Sequence, residues 1–134
     1  MKKLLPVILL CLCLLTAKAE PTEVSSPNNM VTLTFCLDNS RPTYSLTYKG
    51  KTVIKPSHLG LELAKEKHAS KGMDETDLME GFTITNVKTS SFDETWKPVW
   101  GEWKEIRNNY NELFVNLRQQ KEQRDIAIRF RVYD

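Results

Sequence analysis

Every second residue between Ile126 and Val132 is apolar, and Ala127, Arg129 and Arg131 lie between them. Successive side chains of a strand point to opposite faces, so this alternation describes a strand with one buried side. The same period of two recurs at Val31, Leu33, Phe35 and Leu37, with Thr32 and Thr34 between, and again at Tyr44, Leu46 and Tyr48. Several one-sided strands bury their apolar faces by packing sheet against sheet.

The stretches between these runs supply the turns. Asp38-Asn39-Ser40-Arg41-Pro42 reads as one turn and Lys49-Gly50 as another, with 52–54 pairing back as a hairpin. Leu59, Leu61 and Leu63 keep the spacing of two after Pro56, and residues 64–77 are polar enough to predict a solvated loop. Gly81 precedes Phe82, Ile84 and Val87, a strand with one slip that a bulge absorbs. Residues 102–120 fit two periods. Trp103, Ile106, Tyr110, Leu113, Phe114 and Leu117 make one helical face, whereas a strand fits only Leu113, Val115 and Leu117.

The ends of the chain set its address. Lys2 and Lys3, the apolar run 4–15 and the small-x-small ending Ala17-Lys18-Ala19 predict a secretory signal over 1–19, cut before Glu20. That run is shorter than the roughly 20 residues a spanning helix needs, so no membrane anchor is expected. Cys11 and Cys13 each follow a leucine, where a lipidation site wants a small residue. Residues 20–29, rich in Pro, Ser, Thr and Asn, read as a flexible mature end, with one domain over 30–134. Cleavage removes three of the 19 basic residues, leaving 16 against 17 acidic ones, and no basic stripe argues for nucleic acid. Cys36 is the one cysteine after the signal, in a strand-like run with no histidine nearby to activate it.

Residues 92–113, FDETWKPVWGEWKEIRNNYNEL, hold three tryptophans, a tyrosine and five acidic residues. With PTYSLTYKGKTVIKPSHLGLEL from Pro42 and DIAIRFRVYD at the end, this run resembles the amino-terminal domain of glycoside hydrolase family 97, nearest its starch-utilising α-glucosidases. The likeness covers nearly everything after residue 27. It implies an all-β fold, an antiparallel β-sandwich resembling part of the galactose-mutarotase-like supersandwich, and strands rather than a helix over 102–120, with Lys121-Glu122-Gln123-Arg124 in a hairpin loop before the last strand. It also implies a (β/α)8 barrel as partner that carries the family's catalytic carboxylates, and a calcium ion bound by residues beyond the matched region. No catalytic and no metal residue is therefore assigned to this chain. The family runs on past the position of Asp134, so the chain is expected to be the first part of that domain, inactive alone on α-glucosides.

Glycoside hydrolysis needs two carboxyl groups facing one bond, roughly 5 to 10 Å apart. Asp93 and Glu94, as neighbours on a strand, point to opposite faces. These acids are expected to pair with Lys97, Lys104 or Arg107, to cap turns or to lie at a domain interface. Trp96, Trp100 and Trp103 read as a mixture of core and interdomain contact, ahead of a platform for an α-glucan oligosaccharide. His58 and His68 lack partners at zinc spacing, and Asp74, Glu75, Asp77 and Glu80 lack the ligand order of a calcium loop. The alternative to the enzyme reading is a free-standing carbohydrate-binding β-domain.

Overall fold

The computed structural model describes residues 20–63 and 77–134, and among them every regular element is a strand. The strands are β1 (Thr22–Ser25), β2 (Val31–Asp38), β3 (Arg41–Tyr48), β4 (Lys51–His58), β5 (Phe82–Trp96), β6 (Ile106–Gln119) and β7 (Arg124–Tyr133). β1 to β4 make one sheet in chain order and β5 to β7 a second, all pairs antiparallel. The two sheets face each other as the expected all-β sandwich. The expected signal over 1–19 and most of the expected loop over 64–77 lie outside the described residues.

Two-residue turns close the β2–β3 and β3–β4 hairpins. Asn39 and Ser40 take φ of 49° and 63°, and Lys49 and Gly50 take 49° and 74°, the left-handed pair whose twist suits a tight hairpin. The first turn is tighter than the five residues expected, because Pro42 belongs to β3, opposite Leu37. It has no N–H to offer, but its carbonyl accepts a bond from the Leu59 N–H at 2.8 Å. Pro56 is tolerated within β4 because β4 is an edge strand.

Two further expectations are corrected. Residues 20–29 are not a free tether: Thr22–Ser25 pair with β2, Val24 is buried in the core, and Ser26 is fully buried. The Ser26 hydroxyl accepts from the Val31 N–H, the Asn28 N–H donates to Asp134 Oδ1 at 2.8 Å, and Asn111 Nδ2 donates to the Ser25 carbonyl at 2.7 Å. The polar composition that suggested disorder instead supplies these partners. Residues 106–119 are a strand, as the resemblance implies, and the helical period there is coincidental: the inner face is read by Leu113, Val115 and Leu117, each with no exposed surface. Leu59, Leu61 and Leu63 do not continue a strand, and Leu61 makes a single bridge to Leu78.

The core joins Val24, Leu33 and Phe35 of the first sheet to Phe82, Leu113, Val115, Leu117 and Val132 of the second. Phe35 packs on Phe130 with ring centroids 5.7 Å apart. The expected bulge falls at Thr85, where the register steps from Ile84↔Leu117 to Asn86↔Asn116. Gln119, almost fully buried, ties the chain before β5 to β6, its Nε2 donating to the carbonyls of Asp77 and Glu80 at 3.0 Å each. Phe35→Ala empties the centre of this core, and we expect it to cost about 3–5 kcal/mol, measured by chemical unfolding of the two proteins.

Candidate functional site

β5 and β6 are longer than the sandwich they belong to. They stay paired from Phe82↔Gln119 to Trp96↔Ile106, but β5 is exposed on both faces from residue 85 onward. The far half is therefore an arm that projects past the first sheet, with loop 97–105 at its tip. Gly101 turns that loop at a φ of 144°, a conformation glycine favours.

Two ion pairs brace the arm at its tip. Arg107 grips both oxygens of Asp93 with one guanidinium edge, Nε donating to Oδ1 at 2.9 Å and Nη2 to Oδ2 at 2.7 Å. Lys97 Nζ lies 3.3 Å from Glu105 Oε1 across the loop. The hydrogen bond from Arg107 holds the Asp93 carboxyl below its ordinary range, and Asp93 in turn raises Arg107. The arm's outer face carries a ladder of rings. Phe92 stacks on Tyr110 at 5.2 Å, Tyr110 meets Tyr133 at 5.1 Å, and the Arg131 guanidinium lies 4.8 Å from the Tyr110 ring centre. Arg131 is held in turn by Glu112, Nε to Oε2 at 2.9 Å. Sequence reading missed this ladder, because nothing in spacing alone shows that residues 92, 110 and 133 are cross-strand neighbours.

None of the three tryptophans is in the core. Trp96 ends β5 at 47% exposed, opposite Ile106, while Trp100 and Trp103 are 89% and 73% exposed in the tip loop beside a wholly exposed Val99. Single exposed apolar residues are ordinary, but four gather at this one tip. The core share expected of the tryptophans is thus overturned: the sandwich closes on aliphatic residues and phenylalanine further along the strands, out of reach of the arm.

The acidic residues are engaged elsewhere. Asp93 and Glu94 face opposite sides, opposite Asn109 and Asn108. Glu80 accepts from Arg41 Nε at 2.9 Å, and Asp77 Oδ1 accepts from the Leu63 N–H at 3.0 Å. His58 Nδ1 bonds the Thr43 hydroxyl at 3.0 Å, and Cys36 is a free, partly buried thiol. Among the described residues no three His, Cys, Asp or Glu side chains gather at one point. No helix of the described residues is long and apolar enough to cross a membrane.

These observations define an antiparallel β-sandwich domain with a ring-braced arm that ends in an apolar tip. The family model described as Glycosyl-hydrolase 97 N-terminal matches residues 24–134, and the chain belongs to that family. Among solved structures, it is similar to a glycoside hydrolase family 97 enzyme from Pseudoalteromonas sp. strain K8, in forms complexed with panose and with acarbose, at 28% identity and a TM-score of 0.72. A β-arabinopyranosidase shares the fold at 22% identity and a TM-score of 0.68. The match covers 84% of this chain but 16% of each of those chains. The chain is thus similar to a small amino-terminal part of much longer enzymes.

Two outcomes follow from the tip geometry. Trp100→Ala and Trp103→Ala are expected to change unfolding stability by no more than about 0.5 kcal/mol, because both side chains leave solvent for nothing in this chain. Asp93, with its folded pKa lowered, contributes stability above the ordinary carboxylate value and loses it as pH falls through the lower folded value. A carboxyl NMR titration should therefore place the Asp93 midpoint below the ordinary range, and Arg107→Gln should return it there.

Proposed function

We propose that this chain is the non-catalytic amino-terminal β-sandwich portion of an exported α-glucosidase-like glycoside hydrolase that acts on starch-derived α-glucosides. Its own part is scaffold and interdomain surface, and the bearing observation is the exposed apolar tip of Val99, Trp100 and Trp103 on a braced arm. Family membership and the small share of the solved enzymes that the chain covers support a catalytic barrel as the partner for that tip. The panose and acarbose complexes of the Pseudoalteromonas enzyme support the α-glucoside class. The basic, apolar and small-x-small order of residues 1–19 supports export to the periplasm or beyond.

Protein–protein docking fits the tip better than a sugar platform. A wholly exposed valine has no flat face to lay on a pyranose, and the arm's rings stand packed against one another, with Tyr110 held between Phe92, Tyr133 and Arg131. Interface anchors are large side chains of this kind that fill pockets on a partner.

The test is the native polypeptide in a periplasmic extract, found with an antibody to residues 92–113 and weighed intact. A mass several times that of residues 20–134, co-purifying with aryl α-glucosidase activity, is expected. A mass matching residues 20–134 together with saturable maltooligosaccharide binding would establish the free-standing carbohydrate-binding domain instead. Hydrolysis of an aryl α-glucoside by purified residues 20–134 would overturn the non-catalytic role.

A further inference from the structure

Between Asp38 and Glu62 the sequence holds no acidic residue and four basic ones, Arg41, Lys49, Lys51 and Lys55. Over residues 20–134 basic and acidic residues nearly balance, 16 against 17, so this is a local segregation of charge. Arg41 is taken up by Glu80 at the start of β3. The lysines stand at the other end, on the turn into β4 and along that strand, with Lys51 opposite Tyr48. Among the described residues none of the three meets a carboxylate, and Lys49 lies over the Tyr48 ring, 5.3 Å from its centre. Every residue from Tyr48 to Val53 is exposed. Val53 is the extra residue of a bulge, where the register steps from Thr47↔Thr52 to Leu46↔Ile54, and it stands 61% exposed. The exposed Met30 lies beside the same turn, its carbonyl accepting from the Lys49 N–H at 2.7 Å and its sulfur 3.9 Å from the Tyr48 hydroxyl.

We propose that the β3–β4 turn docks on a membrane surface that carries anionic headgroups. Lysines on the edge strand also keep further strands away, but charge alone serves that role and calls for no exposed Tyr48, Val53 and Met30 beside it. Cations and apolar side chains on one convex turn match a lipid interface. The ammonium groups meet phosphates, their stems lie along the boundary, and the tyrosine and aliphatic groups enter it. A single carboxylate or phosphate on a soluble partner is better gripped by a guanidinium fork, and the one arginine of the segment is held by Glu80. The turn lies at the opposite end of β3 from Pro42, whose carbonyl holds the Leu59 N–H, so the chain leaves β4 away from it. The attachment is to a surface, for no helix of the described residues is long and apolar enough to cross a membrane. That the chain meets such a surface in the cell rests on the export proposed above; the binding chemistry does not.

The experiment sediments the native polypeptide, its signal removed, with vesicles of phosphatidylcholine and with vesicles of phosphatidylcholine mixed with phosphatidylglycerol. Binding is expected to the mixed vesicles alone and to weaken as salt is raised. Lys49→Gln, Lys51→Gln and Lys55→Gln together should weaken it by about a hundredfold. Lys88→Gln, Lys104→Gln and Lys121→Gln together remove the same charge elsewhere and should leave it within about threefold. Val53→Ser should weaken binding without changing its salt dependence. All seven side chains are exposed, so the variants keep the fold, and an unaltered unfolding midpoint checks this. Absence of binding, equal binding to both kinds of vesicle, an equal loss in the two triple variants, or tighter binding of a soluble acidic polysaccharide than of the mixed vesicles would each overturn the proposal. None of these outcomes depends on whether the native polypeptide proves to be a glycosidase.

Discussion

Burial of one face of β6 is the interaction on which the rest of the structure depends. Leu113, Val115 and Leu117 sit with no exposed surface at the middle of the second sheet, and Val24, Leu33 and Phe35 close over them from the first. Both neighbours of β6 take their register from it, and a one-residue slip would turn that apolar row outward. The same strand reaches the chain's two ends: Asn111 holds the Ser25 carbonyl, and Asn109 donates to Asp134, which also accepts from the Asn28 N–H. A segment composed like a tether thus becomes an ordered edge strand.

The length of β5 and β6, and a one-strand offset that sets β1 over β6 and β2 over β7, give the domain its two open surfaces. On one flank β5 and β6 run beyond any cover and become the arm, stiffened by stacked rings and by the Arg107–Asp93 fork rather than by a core. On the other flank β3 and β4 extend over space beside β7, and their half-buried apolar residues line a groove. Exposed ion pairs contribute little to stability, so the arm's bracing is better understood as fixing where the tip points.

Much of the architecture was legible along the chain. The alternations at 31–37, 44–48 and 126–132, the Lys49-Gly50 turn and the slip after Ile84 are local signals, set by side-chain direction and backbone sterics, and each stands where the spacing put it. The residues at 102–120 were not decided locally. Trp103, Ile106 and Tyr110 fit a helical face only because residues of the exposed arm happened to fall three and four apart from the true inner row. Likewise, three tryptophans close together suggested a share of the core, but burial depends on where the opposite sheet ends, and it ends before the arm begins.

The sequence by itself determined that this chain is all-β and belongs to the amino-terminal domain of a glycoside hydrolase family, since period, turn residues and family motifs are properties of neighbours along the chain. Only the tertiary structure decided which strands face each other, and by how many they are offset. Sheet packing is set by the summed fit of two faces whose residues lie more than a hundred positions apart, as Val24 and Val132 do. That packing opens the groove beside β7 and ends before the tryptophans, while the register within the second sheet aligns Phe92, Tyr110 and Tyr133 into one ladder. No local pattern encodes it, because it arises where the buried area of the two sheets is greatest and not from the preference of any one strand.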